Sequence, residues 1–447
     1  MTPRMNHAEH ARATLVLGLP LVGSHLAQMA LHVTDMVMLG WYSVAALAAS
    51  VLGSSTFFII FLLGAGFAQA VMPMVAAALG RGDEVQVRRD TRMGMWLSIL
   101  FGVLIYPVFW WSEPLLLALG QKPDLSALAR DYLRVAALGM VPALLVMVLK
   151  SYLAALERAQ VVLWVTLAAV GVNIALNWAL IFGNWGAPEL GVVGAAVASV
   201  AVQVVSIIAL AGYAAALPAL RRFRLFQRFW RPDWPAFKQV WRLGWPIGTT
   251  SLLEGGLFQA AALMMGWIGT VELAAHGIAL QVTAISFMLH VGLSNAATVR
   301  VGRFAGARDA HGVRDAAKVA LVLSQSFGVL IIATFVLFPE WIVALFLDTA
   351  NPEAARIIAF GSSLLLVAAL FQIADAAQVM ALGFLRGIHD TRAPMWIAAF
   401  SYWGVGIPCS YLLAFPLGYG GVGLWVGLVI GLTLAAAALL IRFWRRV

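Results

Sequence analysis

Apolar runs long enough to cross a bilayer recur along this chain, and no other feature limits its fold as much. Between Leu97 and Trp111, and again between Ile357 and Ile373, no charged side chain interrupts the stretch. A helix crosses the hydrocarbon core in about 20 residues. A barrel strand would instead alternate apolar with polar residues, so continuous runs predict helices. Composition agrees. Of the 447 residues, 62% are hydrophobic and 11% charged, against roughly 25% charged in soluble domains. Lipid must be the solvent for most of this surface, and the expected fold class is an all-α membrane protein.

Reading the runs and their breaks predicts twelve transmembrane helices. Six fall in the first half, at 14–40, 46–79, 92–111, 126–153, 160–182 and 191–216. Six follow at 240–268, 272–304, 316–338, 354–385, 393–415 and 421–442. The run from Thr14 to Gly40 is too long for a signal-peptide core, and no small-residue cleavage pattern follows it, so it is read as a retained span. The single cysteine, Cys409, excludes an internal disulfide.

On this frame all but four of the 29 Lys and Arg residues fall on one side, the exceptions being Lys122, Arg130, Arg134 and Arg356. Arg4 and Arg12 precede the first helix. Lys150 and Arg158 are assigned between the fourth and fifth, Arg386 to the cytoplasmic end of the tenth, and a basic connection occupies 217–239. Positive charge marks the cytoplasmic face. Both termini are therefore expected in the cytoplasm of a multi-pass protein of the cytoplasmic (inner) membrane. The net charge of +9 is then a topological signal and not a nucleic-acid one. Membrane lipids are the expected partners of the connection, whose basic residues suit anionic headgroups.

Sliding the sequence on itself by 226 residues superposes Gly18 and Pro20 on Gly244 and Pro246. Met38, Gly40 and Trp41 meet Met264, Gly266 and Trp267, while Gly66, Gly80, Asp83 and Arg88 meet Gly292, Gly306, Asp309 and Arg314. Trp, Asp and Arg matching in one ungapped frame is the mark of an internal repeat. The expected architecture is two pseudo-symmetric six-helix lobes, 1–216 and 240–447, joined by the cytoplasmic linker 217–239. Each lobe has an even number of spans, so the two lie the same way up, an arrangement whose interface commonly houses the substrate. A monomer is expected.

Three acids interrupt the apolar spans away from their ends: Asp35, Glu254 and Asp375. A carboxylate facing lipid costs at least about 2.5–3.5 kcal/mol, so each should face a cavity or a partner. No Lys or Arg lies deep in a span on this reading, which leaves protons or cations as the natural partners. In the repeat frame Gln28 falls on Glu254 and Asp35 on Ala261, so the halves carry polar groups in different chemical forms. Asn173 and Asn177, spaced i, i+4, share one helical face. Their amide oxygens beside Asp35 would form an oxygen-rich cation site, and interhelical hydrogen bonding explains the spacing equally well. Gln28, Gln281, His290, Gln378 and Tyr402 are candidates to line the cavity.

Other chemistries lack their residues. None of the four lysines, at 122, 150, 238 and 318, follows a glycine, so there is no Walker A loop. Neither HExxH nor GxSxG occurs. No enzymatic activity, no organic cofactor and no metal beyond a coupling Na⁺ are expected, and an ion gradient remains as the energy source.

The segments QIADAAQVMALGFLRGIHD (372–390), VNIALNW (172–178), GAPELG (186–191) and SYWGVGIP (401–408) resemble those of the multidrug and toxic compound extrusion (MATE) transporters. An acid at 254 combined with one at 375 resembles the NorM-like branch. The resemblance covers nearly the whole chain. It implies an antiporter expelling small organic, often cationic, compounds in exchange for Na⁺ or H⁺. It carries Glu254 and Asp375 over as the cation-coupling carboxylates, and Asp35, Asn173 and Asn177 as the polar cluster of the first half. His290 departs from the proline that such sequences tend to have there. A lipid-linked precursor flippase is the alternative, but it would want deep basic residues for its phosphates. A membrane-embedded enzyme or channel lacks, respectively, a metal or His constellation and a ring of subunits.

Overall fold

The computed structural model describes residues 5–347 and 352–447; Arg4 lies outside them. Among the described residues twelve helices are long and apolar enough to cross a membrane, and no strand occurs. They are α1 (His7–Tyr42), α2 (Val44–Gly80), α3 (Glu84–Trp110), α4 (Pro123–Ala155), α5 (Ala159–Phe182) and α6 (Val192–Ala216), followed by α7 (Trp234–Ile268), α8 (Thr270–Gly306), α9 (Ala310–Leu337), α10 (Ala354–Gly387), α11 (Arg392–Ala414) and α12 (Gly420–Arg446). A 3₁₀ turn at Ala137–Gly139 interrupts α4, and a π-helical stretch at Phe400–Gly406 interrupts α11. Pro408 has no N–H to offer the carbonyl of Gly404, and the Ile407 N–H reaches five residues back to Tyr402 instead. π-turns of this kind often mark functional positions.

The number of spans agrees with the hydropathy reading, but several helices begin earlier than their apolar runs. α3 starts at 84 instead of 92, α9 at 310 instead of 316, and α7 at 234 instead of 240. Beyond the lipid a helix needs no apolar residues, only satisfied ends. Asp83 caps α3 by accepting from Gln86 N at 2.9 Å, and the repeat-related Asp309 caps α9 by accepting from Gly312 N at 2.9 Å. The same two aspartates donate their own N–H groups back to the preceding helix, to Ala78 O and Phe304 O. One duplicated residue thus ends one helix and starts the next in both halves.

The chain forms two compact units, Gly23–Thr249 and Met1–Val22 with Thr250–Val447. The first is called here the central unit and the second the outer-sequence unit. The chain passes from one unit to the other inside α1 and α7, within a turn of Pro20 and Pro246. Each proline removes a hydrogen bond from its helix. Glycines at matching repeat positions explain how the exchanged halves pack. In the outer-sequence unit, a Cβ on Gly292 would come within 2.6 Å of the Val22 nitrogen. In the central unit, a Cβ on Gly66 would come within 2.6 Å of the Gly248 Cα. Only glycine permits either approach.

The connection after α6 is a docked segment and not a loose basic strand. Phe223 and Leu225 are buried, with Phe223 edge-on to Tyr152. Trp96 Nε1 donates to Phe229 O at 2.9 Å and Arg92 Nη1 to Arg228 O at 3.1 Å. Arg89 grips Asp233 with two nitrogens, one of them Nη2 at 3.0 Å from Oδ1. This guanidinium holds the Asp233 carboxyl below the usual carboxylate range.

Candidate functional site

In the central unit α1 and α5 lie side by side, joined near one end by a 3.0 Å hydrogen bond between Ser24 and Thr166. Further along, Asp35 meets both asparagines. Its Oδ1 accepts from Asn173 Nδ2 at 3.0 Å and from Asn177 Nδ2 at 2.6 Å, and its Oδ2 accepts from Ser199 Oγ of α6 at 3.1 Å. The amide nitrogens, not the oxygens, face the carboxylate. Asn173 Oδ1 is occupied by Asn177 Nδ2 at 3.2 Å, and Asn177 Oδ1 is buried without a partner. Of the two readings that the spacing leaves open, these contacts are those of interhelical hydrogen bonding and not of amide oxygens turned to a cation. A cation here would have to turn the amides round. Ser199 is not legible in the sequence as a member of this site, because one serine among many carries no signal of its own.

In the outer-sequence unit Glu254 of α7 and Asp375 of α10 lie close enough to act on each other electrostatically. Asp375 is almost wholly buried, as are Gln372 and Gln378, one turn away on either side of it along α10. Gln378 Nε2 donates to the hydroxyl of Tyr402, which the π-helical stretch carries, and its side chain also reaches Glu254. Gln372 Nε2 donates to Ser286 Oγ at 2.7 Å. Four acceptors remain buried and unpartnered: Glu254 Oε1, Asp375 Oδ1, Gln372 Oε1 and Gln378 Oε1. An unsatisfied buried acceptor costs about 1–3 kcal/mol. The cluster is short of positive hydrogen-bond density, which a proton or a metal cation would supply.

The remaining candidates divide. His290 is fully buried, with Nδ1 2.8 Å from Ser324 Oγ, and its ring also interacts with Gln372, so it extends the α10 cluster. Gln281 is half-buried and hydrogen-bonds none of the described residues. Gln28 is exposed and accepts from Lys150 Nζ at 3.4 Å. Two basic residues near the ends of their helices have polar neighbours. Lys150 sits within α4, not after it, and turns inward to Gln28. Arg386, in the last turn of α10, is an electrostatic neighbour of Glu254 and Tyr402. Another buried acid, Asp90, accepts from Gln86 Nε2 at 2.6 Å.

Twelve spanning helices that bury carboxylate clusters define a multi-pass membrane protein of the transporter kind. A family model, MatE, matches residues 20–179 and 246–412, one block in each half. The chain belongs to this family, the multidrug and toxic compound extrusion transporters. It is 50% identical over 436 residues to "Probable multidrug resistance protein NorM" of Rhizobium meliloti (strain 1021), covering 98% of this chain and 93% of the relative. The protein of the same description in Agrobacterium fabrum is 45% identical, with 97% and 93% covered. Among solved structures, "Crystal structure of MATE in complex with MaL6" matches with a TM-score of 0.88 at 22% identity, over 98% of this chain and 96% of that one. "Crystal structure of MATE in the bent conformation" gives 0.87 at 21% identity, over 99% and 97%. These last two likenesses are of fold.

Proposed function

We propose that the protein is a cation-coupled antiporter of the cytoplasmic membrane that exports small organic, often cationic, compounds by alternating access. Glu254 and Asp375 are its coupling carboxylates, and Asp35 with Asn173 and Asn177 forms a second polar site. The observation that carries this reading is the acceptor-rich cluster on α7 and α10. Two mutually repelling carboxylates with unpartnered oxygens are costly in a low dielectric unless a cation or proton joins them. Na⁺ and H⁺ both meet that need. The relatives' descriptions as multidrug resistance proteins support an organic cargo, and the one-sided distribution of Lys and Arg supports cytoplasmic termini. A polyphosphate lipid head suits the site less well, because the carboxylates repel it and Arg386 already faces Glu254.

Uptake of a fluorescent organic cation into inverted vesicles tests this directly, with Na⁺ and pH gradients imposed one at a time. Accumulation should follow at least one gradient and collapse when that gradient is dissipated. Accumulation indifferent to both would rule out coupling.

A further inference from the structure

His290 of α8 is fully buried, and among the described residues no charged group acts on it. Its Nδ1 lies 2.8 Å from Ser324 Oγ of α9. That hydroxyl has no other partner among the described residues, so its proton goes to Nδ1. In the repeat frame His290 and Ser324 fall on Gly64 and Ser98. Ser98 has no histidine to meet and donates to Gly94 O of its own helix at 2.8 Å, so the outward turn of Ser324 belongs to His290. With Nδ1 accepting, the neutral imidazole carries its hydrogen on Nε2.

Nε2 is buried without a partner, and so is Gln372 Oε1, on a side chain with which His290 interacts. A bare donor and a bare acceptor therefore stand together, neither with another group to turn to. At its other end the Gln372 amide donates from Nε2 to Ser286 Oγ at 2.7 Å. Both holds, His290 and Ser286, come from α8. Asp375 lies one turn further along α10, with Oδ1 bare, within the usual reach of an i, i+3 neighbour. The amide on its other side, Gln378, gives its NH₂ to the Tyr402 hydroxyl. Neither amide is turned to Asp375.

We propose that His290 is a positioning residue, which pins the Gln372 amide away from Asp375 and so keeps Asp375 Oδ1 open for the coupling cation. Without the Nε2 hydrogen, Gln372 can swing its NH₂ to Asp375, because a hydrogen bond to a carboxylate is roughly twice as strong as one to a hydroxyl. The amide then occupies the oxygen that the cation needs. The purpose of the pin rests on the coupling reading above, but the pin itself is visible without a gradient.

Solid-state NMR of the full chain in bilayers, with nitrogen-labelled histidine, reads the pin directly. The pair of signals missing from His290→Gln should show a bare Nδ1 and a protonated Nε2, and the reverse tautomer overturns the proposal. Vesicle uptake reads the consequence. In His290→Leu the concentration of driving cation that gives half-maximal uptake should rise about tenfold, as for one charge-assisted hydrogen bond to be displaced. The maximal rate should change less. His290→Asn keeps a polar group near Ser324 but is too short to reach Gln372, and should behave like His290→Leu. His290→Gln, whose amide nitrogen stands near the place of Nε2, should restore the wild-type concentration. An unmoved concentration in His290→Leu and His290→Asn overturns the pin, as does the same value in His290→Asn and His290→Gln. Wild-type uptake indifferent to both gradients would instead sink coupling, and the purpose of the pin with it.

Discussion

The two carboxylate sites lie on duplicated scaffolds and have opposite hydrogen-bond balance. Asp35 in the central unit is met by three donors and no cation. Glu254 and Asp375 in the outer-sequence unit each keep one buried oxygen without a donor, as do Gln372 and Gln378 beside them. The first site leaves neither oxygen of its carboxylate without a hydrogen-bond donor. The second keeps unpartnered oxygens even with Gln378 and Arg386 near Glu254. Duplication preserved the helices and their glycine crossings, while exchange of Gln for Glu and Asp for Ala at matched positions let the chemistry diverge.

The largest effects should come from the outer-sequence unit. Glu254→Gln and Asp375→Asn should each reduce coupled export to the vector background. Each also turns an unpartnered acceptor into an amide that can donate, relieving part of a burial cost of about 1–3 kcal/mol. The thermal midpoints of these variants should therefore equal or exceed wild type. Asp35→Asn leaves three donors facing an amide and should lower the midpoint. Efflux normalised to monodisperse protein, with melting curves on the same samples, measures both. A midpoint that falls alike in all three variants would break the contrast between the sites, and full drug resistance in either of the first two would remove that residue from coupling.

The sequence revealed much of this frame, but unevenly. Twelve spans were readable because lipid demands about 20 apolar residues per crossing, a constraint no soluble helix faces. The helix starts at Glu84 and Ala310 were not, because beyond lipid the hydropathy signal vanishes while the Asp83 and Asp309 caps extend the helix. Asp35, Asn173 and Asn177 could be grouped because polar residues are conspicuous in apolar helices. Whether an amide presents nitrogen or oxygen depends on its neighbours, so the polarity of that site was hidden. Lys150 and Arg386 looked like ordinary charges at a cytoplasmic boundary. Hydropathy cannot tell a side chain that snorkels outward from one that turns in.

An intermediate effect sharpens the role of Asp35. Asp35→Asn mimics its neutral form permanently, so substrate should still bind, weakly, while turnover stops. The measurement is drug affinity against pH, with and without Na⁺, in wild type and variant. A dependence that persists unchanged in the variant would make the central-unit site structural and leave coupling to Glu254 and Asp375. Ser199→Ala removes one of the three donors and should slow export only several-fold, in keeping with the loss of one typical hydrogen bond worth about 0.5–1.5 kcal/mol.

The smallest effect concerns a carboxylate balanced by a cation, the third way this chain holds an acid. Asp233 lies outside the spans, is gripped by Arg89, and has its pKa lowered by that hydrogen bond. A lowered folded pKa gives stability that is fully present above the unfolded value, about 3.9, and is lost as pH falls through the folded one. Arg89 is 36% exposed, and pairs of that kind contribute below about 1 kcal/mol. The effect should be local. Hydrogen exchange over 222–233, corrected for intrinsic rates, should be faster in Asp233→Asn than in wild type near neutral pH. The excess should shrink as pH is lowered from about 5 to about 3, where the wild-type carboxyl starts to protonate. An excess constant across that range would mean that the connection is held by Phe223, Leu225 and the Trp96 hydrogen bond, with the ion pair contributing nothing measurable.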